Sequence, residues 1–88
     1  MDLNELRTEI NEIDEEILKL FLRRMEVAGQ VAEYKKAHHL PIYQPARERE
    51  ILESVAQRAG GMGSYAKALF ASLMELSKQY QHDREVSE

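Results

Sequence analysis

The chain has no cysteine, and only two prolines and four glycines among its 88 residues. Without thiols there is no disulfide framework and no thiolate metal site. The histidines, His38, His39 and His82, make no ligand set, since adjacent residues such as His38 and His39 point in different directions. The sequence therefore predicts neither a metal nor a cofactor. Pro41, Pro45 and the glycines at 60, 61 and 63 fall in two short stretches. Outside them only Gly29 weakens a helix. No apolar run approaches the ~18–20 residues of a membrane span. The acidic N-terminus, Met1 to Glu5, has no signal-peptide hydrophobic region. Positive charge is also scarce: a net charge of −4 argues against a nucleic-acid or anionic-membrane binder. The expectation is one soluble, cytoplasmic domain over residues 1–88.

What is present is helical periodicity. Apolar side chains recur at Leu3, Leu6, Ile10, Ile13, Ile17 and Leu20, then at Val27, Val31 and Tyr34. Steps of three and four place them on one stripe of a long amphipathic helix, about residues 3–37. Asp2 is placed to cap its start, with Glu5 three residues on. Such a helix is about 50 Å long, whereas a compact chain of this size is roughly 30 Å across. The helix overhangs any such globule and carries its apolar stripe along, which marks an interface. We read this as a homodimer built on the long helix. Pro45 suits the first position of a second helix, about 46–58. The glycines at 60, 61 and 63 form a flexible break, and Ser64 is placed to cap a third helix, about 64–82, before a frayed polar tail. No segment reads as a strand. The expected fold class is all-α, with one long, one short and one medium helix.

Arg24 interrupts the stripe where a leucine belongs. A buried cation without a partner costs several kcal/mol, so an anion should meet it. That anion is either a carboxylate of the chain, such as Glu48, or a ligand. Lys35 lies about 1100° further round the helix, within roughly 20° of the same face. The alanines between them, Ala28 and Ala32, leave a shallow gap with positive ends. On the second helix Arg47 and Glu48 head the stripe of Ile51, Leu52 and Val55. On the third, Phe70, Leu73, Ser77 and Gln81 follow one another on a face that turns from apolar to polar.

Each feature has a plainer reading. Arg24 could be half of a structural ion pair, and Lys35 could snorkel at a helix end. Arg47 and Glu48 could be a solvated pair, and Ser77 and Gln81 ordinary exposed residues. Arg23 and the acidic run Asp14 to Glu16 read as surface. Three helices that each turn polar groups inward are nevertheless better explained by one shared pocket. Arg7 adds to it. If two long helices pair antiparallel about residue 20, the partner subunit's Arg7 falls near residue 33, close to Lys35. Arg24, Lys35, Arg47 and that arginine would then face a single Glu48, in a cavity suited to a small dianion.

These residues, in this order, resemble the all-helical chorismate mutase family from Leu3 to about Gln81. The resemblance is carried by Leu6-Arg7 with Ile10, Ile13-Asp14 and Ile17-Leu18; by Arg24 with Val31 and Tyr34-Lys35; and by Pro41-Ile42 followed by Arg47-Glu48. The third helix adds Phe70, Met74-Glu75, Ser77-Lys78 and Gln81. It implies an intertwined homodimer of three-helix chains with two shared sites, converting chorismate to prephenate without a cofactor. It further implies that Arg24 and the partner subunit's Arg7 grip the two carboxylates. Lys35 and Gln81 would donate to the ether oxygen, Glu48 would accept from the ring hydroxyl with Arg47 in support, and Ser77 would line the wall. Gln44 departs from the pattern, since many relatives have an acidic residue there. Glutamine is a poor cap, and a side-chain contact from this position to the ring hydroxyl is in question.

Two other functions compete. An isochorismate-pyruvate lyase shares the fold and much of the cationic site. A non-catalytic dimerisation or regulatory module of a larger shikimate-pathway enzyme could keep the fold, but would be expected to have lost some of these polar residues.

Overall fold

A computed structural model describes residues 2–86 of the chain. Among them are three α-helices, a single 3₁₀ turn and no strand: α1 (Leu3–Ala37), α2 (Pro45–Arg58), the 3₁₀ turn Gly60–Met62, and α3 (Gly63–Val86). Asp2 caps α1 in the extended conformation, its Oδ1 accepting from the Glu5 N–H at 2.9 Å. This satisfies one of the four amides that a helix start leaves open.

The C-terminus of α1 closes with a Schellman arrangement. His39 N–H donates to Lys36 O and Leu40 N–H to Lys35 O, with His39 at φ 55° where glycine is usual. The reversal sends residues 40–44 back along the helix. Ile42 is thereby buried, and its carbonyl comes to Lys35. Gln44 precedes α2 with no side-chain cap bond, and Pro45 opens the helix with a ring that needs no amide partner.

α3 packs against both α1 and α2, which do not approach one another. It crosses α1 over the small residues Ala28, Gly29 and Ala32, all buried. A Cβ on Gly29 would stand 3.1 Å from Arg84 Nη1 and 3.3 Å from Tyr80 Cε2, so glycine gives α3 its room. Two expectations are corrected at the ends of α3. Ser64 does not cap it, because the helix already begins at Gly63, one residue earlier. A Cβ at Gly63 would lie 2.6 Å from the Ala56 carbonyl oxygen, so α2 and α3 meet too closely there for another residue. Residues 83–86 are not a frayed tail but continue the helix, and Arg84 pairs with Glu33 of α1 and donates to Tyr80 Oη; the rest of the expected tail lies outside the described residues.

The N-terminal half of α1 stands apart, with every residue from Asp2 to Leu20 exposed. The molecule is 53 Å in its longest direction, with a radius of gyration of 16.1 Å, against about 12 Å for a compact chain of this length. Ile10, Ile13, Ile17 and Leu20 are each more than half exposed. This part of the apolar stripe therefore has no cover among the described residues.

Candidate functional site

Where α3 crosses α1, a cleft of about 340 Å³ opens between the three helices. That is within the range of small-molecule sites, roughly 300–1,000 Å³. Its walls carry Arg24 and Lys35 from α1, Gln44 from the connector, Arg47 and Glu48 from α2, and Ser77 and Gln81 from α3. Arg7 is not among them. It lies 17 residues before Arg24 on one unbroken helix, about 26 Å along the axis, so its own cleft is out of reach. Arg23 and Asp14 to Glu16 are exposed.

Arg24 has no carboxylate partner among the described residues. Its Nη1 donates to the Ser77 hydroxyl and, at 3.5 Å, to the Leu73 carbonyl. Ser77 gives its own hydrogen to that same carbonyl at 2.9 Å. It is buried, so it fixes the guanidinium without neutralising it. Glu48, the acid that could have paired with Arg24, is taken by Lys78 instead, at 3.1 and 3.2 Å. The cation on the seam thus meets only neutral partners among the described residues.

Lys35 donates to the Ile42 carbonyl at 2.9 Å, which aims its ammonium back over the cleft. Partial burial holds this ammonium below the usual lysine range, and the negative charge of Glu48 opposes that effect. Gln81 is 5% exposed, and its Nε2 donates to the Ala28 carbonyl at 3.0 Å. An amide nitrogen carries two hydrogens, so a second remains for a ligand. Gln44 donates to Pro41 O at 3.5 Å. Ser77 and Gln81 are thus buried polar residues and not surface ones, and Lys35 is directed inward by a fixed acceptor. Ala28 and Val31 line the cleft between Arg24 and Lys35, whereas Ala32 is buried and does not line it.

Lys78 also lines the cleft; the resemblance includes it in the run Ser77-Lys78 but implies no role for it. It lies beside Ser77, about 100° round the helix from it, and so reads as a flank. The signal available was its spacing from Glu75, which it does pair with at 2.7 Å. Among the described residues no group of acidic or histidine side chains could hold a metal ion. No described helix is long and apolar enough to cross a membrane.

The sequence matches the chorismate mutase type II family over residues 6–82. A bifunctional chorismate mutase/prephenate dehydratase from Aquifex aeolicus is 50% identical over 54 residues, covering 61% of this chain and 15% of that protein. A chorismate mutase from Methanocaldococcus jannaschii is 43% identical over 53 residues, covering 60% of this chain and 54% of the relative. The chain thus spans from about a seventh to about half of these relatives. A solved structure, a conserved hypothetical protein from Pyrococcus furiosus, superposes with a TM-score of 0.72 at 37% identity, covering 90% of this chain and 93% of that one. Through residues 6–82, which include every polar group of the cleft, this chain belongs to the chorismate mutase type II family.

Proposed function

We propose that the chain is a chorismate mutase, an isomerase that rearranges chorismate to prephenate on the way to phenylalanine and tyrosine, acting as an intertwined homodimer with two shared sites. The observation that carries this reading is Arg24: a half-buried guanidinium without an acidic partner among the described residues, facing a cleft with Lys35 and Gln81. Membership of the family and the named activities of the relatives support it.

The reaction breaks the ether C–O bond and forms a C–C bond within one molecule. It needs no nucleophile, base or redox group. The protein can hold the enolpyruvyl arm over the ring, so that reacting carbons start near bonding distance. It can also stabilise the negative charge that grows on the ether oxygen. Arg24 takes one carboxylate through its fork of donors. The partner subunit's Arg7 takes the other, its guanidinium brought in by antiparallel pairing of the exposed α1 stripes. Lys35 and the second hydrogen of Gln81 donate to the ether oxygen, and Glu48, with Arg47 beside it, accepts from the ring hydroxyl. Gln44 contributes at the mouth of the cleft and Ser77 holds Arg24 in place. Such donors cost no reorganisation when the charge appears, because Ser77, Ile42 O and Ala28 O already fix them.

The test is product analysis on the purified chain. Prephenate from chorismate supports the reading. Salicylate and pyruvate from isochorismate would make the protein a lyase, and turnover of neither substrate would leave a dimerisation module.

The Lys35 environment adds a pH prediction. The ammonium must be protonated to donate, and its pKa in the free protein is lowered by burial. As pH rises through that lowered value the proton is lost and kcat/KM falls, so the alkaline limb lies below the usual lysine range. In the complex the dianion favours the ammonium, and the limb in kcat moves to higher pH. The profile of Lys35→Arg loses this limb.

A further inference from the structure

The acidic wall of the cleft is held by a group that the proposed mechanism does not use. The Lys78 ammonium meets both oxygens of Glu48, pairs with Glu75 one turn back, and lies 4.5 Å from the centre of the Tyr43 ring. Two carboxylates and an aromatic face therefore surround one cation. The hydrogen bond to Glu75, aided by Glu48 and opposed by partial burial, holds it above the usual lysine range, so it remains charged. A carboxylate offers about four lone-pair positions. Lys78 engages each oxygen once, which leaves Glu48 able to accept from a further donor on either oxygen in the cleft it lines.

We propose that Lys78 is a positioning and specificity-determining residue: by fixing Glu48 and neutralising its charge, it sets the cleft to take a neutral hydroxyl, in preference to an ammonium, at the ring position Glu48 meets. The proposal rests on the functional reading above, in which that ring hydroxyl donates to Glu48. A lone carboxylate favours a cationic donor, because charge attraction adds to the hydrogen bond. Glu48 is not alone. Lys78 lies against it, and Arg47 lines the same wall. A substrate ammonium would bring a further positive charge to this group, whereas a hydroxyl makes the hydrogen bond without the repulsion. Discrimination of this kind comes from the repelling neighbour as much as from the attracting one. Glu48 also has less rotamer freedom to lose on binding, because Lys78 already restrains it.

The experiment compares chorismate with its analogue bearing an amine in place of the ring hydroxyl, which is protonated at neutral pH as aliphatic amines are. Lys78→Met keeps the stem and removes the charge; Lys78→Arg keeps the charge. Lys78→Met is expected to lower kcat/KM for chorismate by about tenfold and to raise the amine-to-chorismate ratio by about tenfold or more. Lys78→Arg keeps the wild-type ratio within about twofold. In a Glu48→Gln background the Lys78→Met change leaves the ratio unmoved. A structural role alone predicts equal losses on both substrates, and an unchanged ratio overturns the proposal. Lys78→Gln supplies a polar neutral replacement if Lys78→Met does not fold, with the same ratio expected. A wild-type chain inactive on chorismate overturns the functional reading itself, whereas an active one with an unmoved ratio overturns only this inference.

Discussion

Lys35→Ala lowers kcat/KM for chorismate by about three orders of magnitude while the helix content of the chain is unchanged. Removing one fixed donor from a developing oxyanion costs about 10²–10³ in rate, and here the donor is a full cation. In the free protein Lys35 makes one hydrogen bond, to a connector carbonyl, from a part-buried position. Burial already disfavours its charge. Its loss therefore weakens the fold little, and the damage falls on kcat as well as on kcat/KM. Lys35→Arg retains a charge but not the compact ammonium, and recovers only part of the activity. Steady-state kinetics with circular dichroism on the same preparations check both statements. A variant that unfolds, or one as active as wild type, contradicts them.

Arg24→Ala produces a loss of similar size, about 10²–10³ in kcat/KM, with a larger share in KM because a carboxylate of the ground state loses its clamp. Stability is the second readout. If Arg24 were half of a structural ion pair, its removal would leave an unpaired buried acid and cost ~3–5 kcal/mol. No acid faces it among the described residues, and the hydroxyl of Ser77 still donates to Leu73 O. The midpoint of thermal unfolding is therefore expected to stay or rise in Arg24→Ala. A fall of many degrees would return Arg24 to a structural role. A site that keeps a cation partly desolvated sacrifices stability to function, so activity and stability should move in opposite directions.

These residues also show how far a sequence can be read. The all-helical class was legible because the apolar steps of α1 run without proline from Leu3 to Tyr34, and local periodicity fixes a helix face. Arg24 was legible as an anomaly for the same reason: one charge on an otherwise apolar stripe needs an explanation. Ser77 and Gln81 sit in register with Phe70, and that register is the face α3 turns toward α1. The identity of the Arg24 partner was not legible. It depends on Glu48 being claimed by Lys78, a contact across two helices that no periodicity encodes. The aim of Lys35 was hidden too, because it follows from the left-handed turn at His39 that brings back the Ile42 carbonyl. The end of α3 was misread because the polar composition after His82 resembles a tail, while Arg84 gains its partners from α1 and from its own helix.

The exposure of α1 from Asp2 to Leu20 and the distance of Arg7 from its own cleft make the two-chain site the central claim. It is tested most directly by mixing two inactive variants, Arg7→Ala and Lys35→Ala, after joint unfolding and refolding. If each cleft combines its own Lys35 with the partner subunit's Arg7, a mixed dimer has one intact site and one doubly damaged site. Random pairing then restores about one quarter of the wild-type activity. Activity that stays at the level of the separate variants, although mixed dimers have formed, would contradict the account.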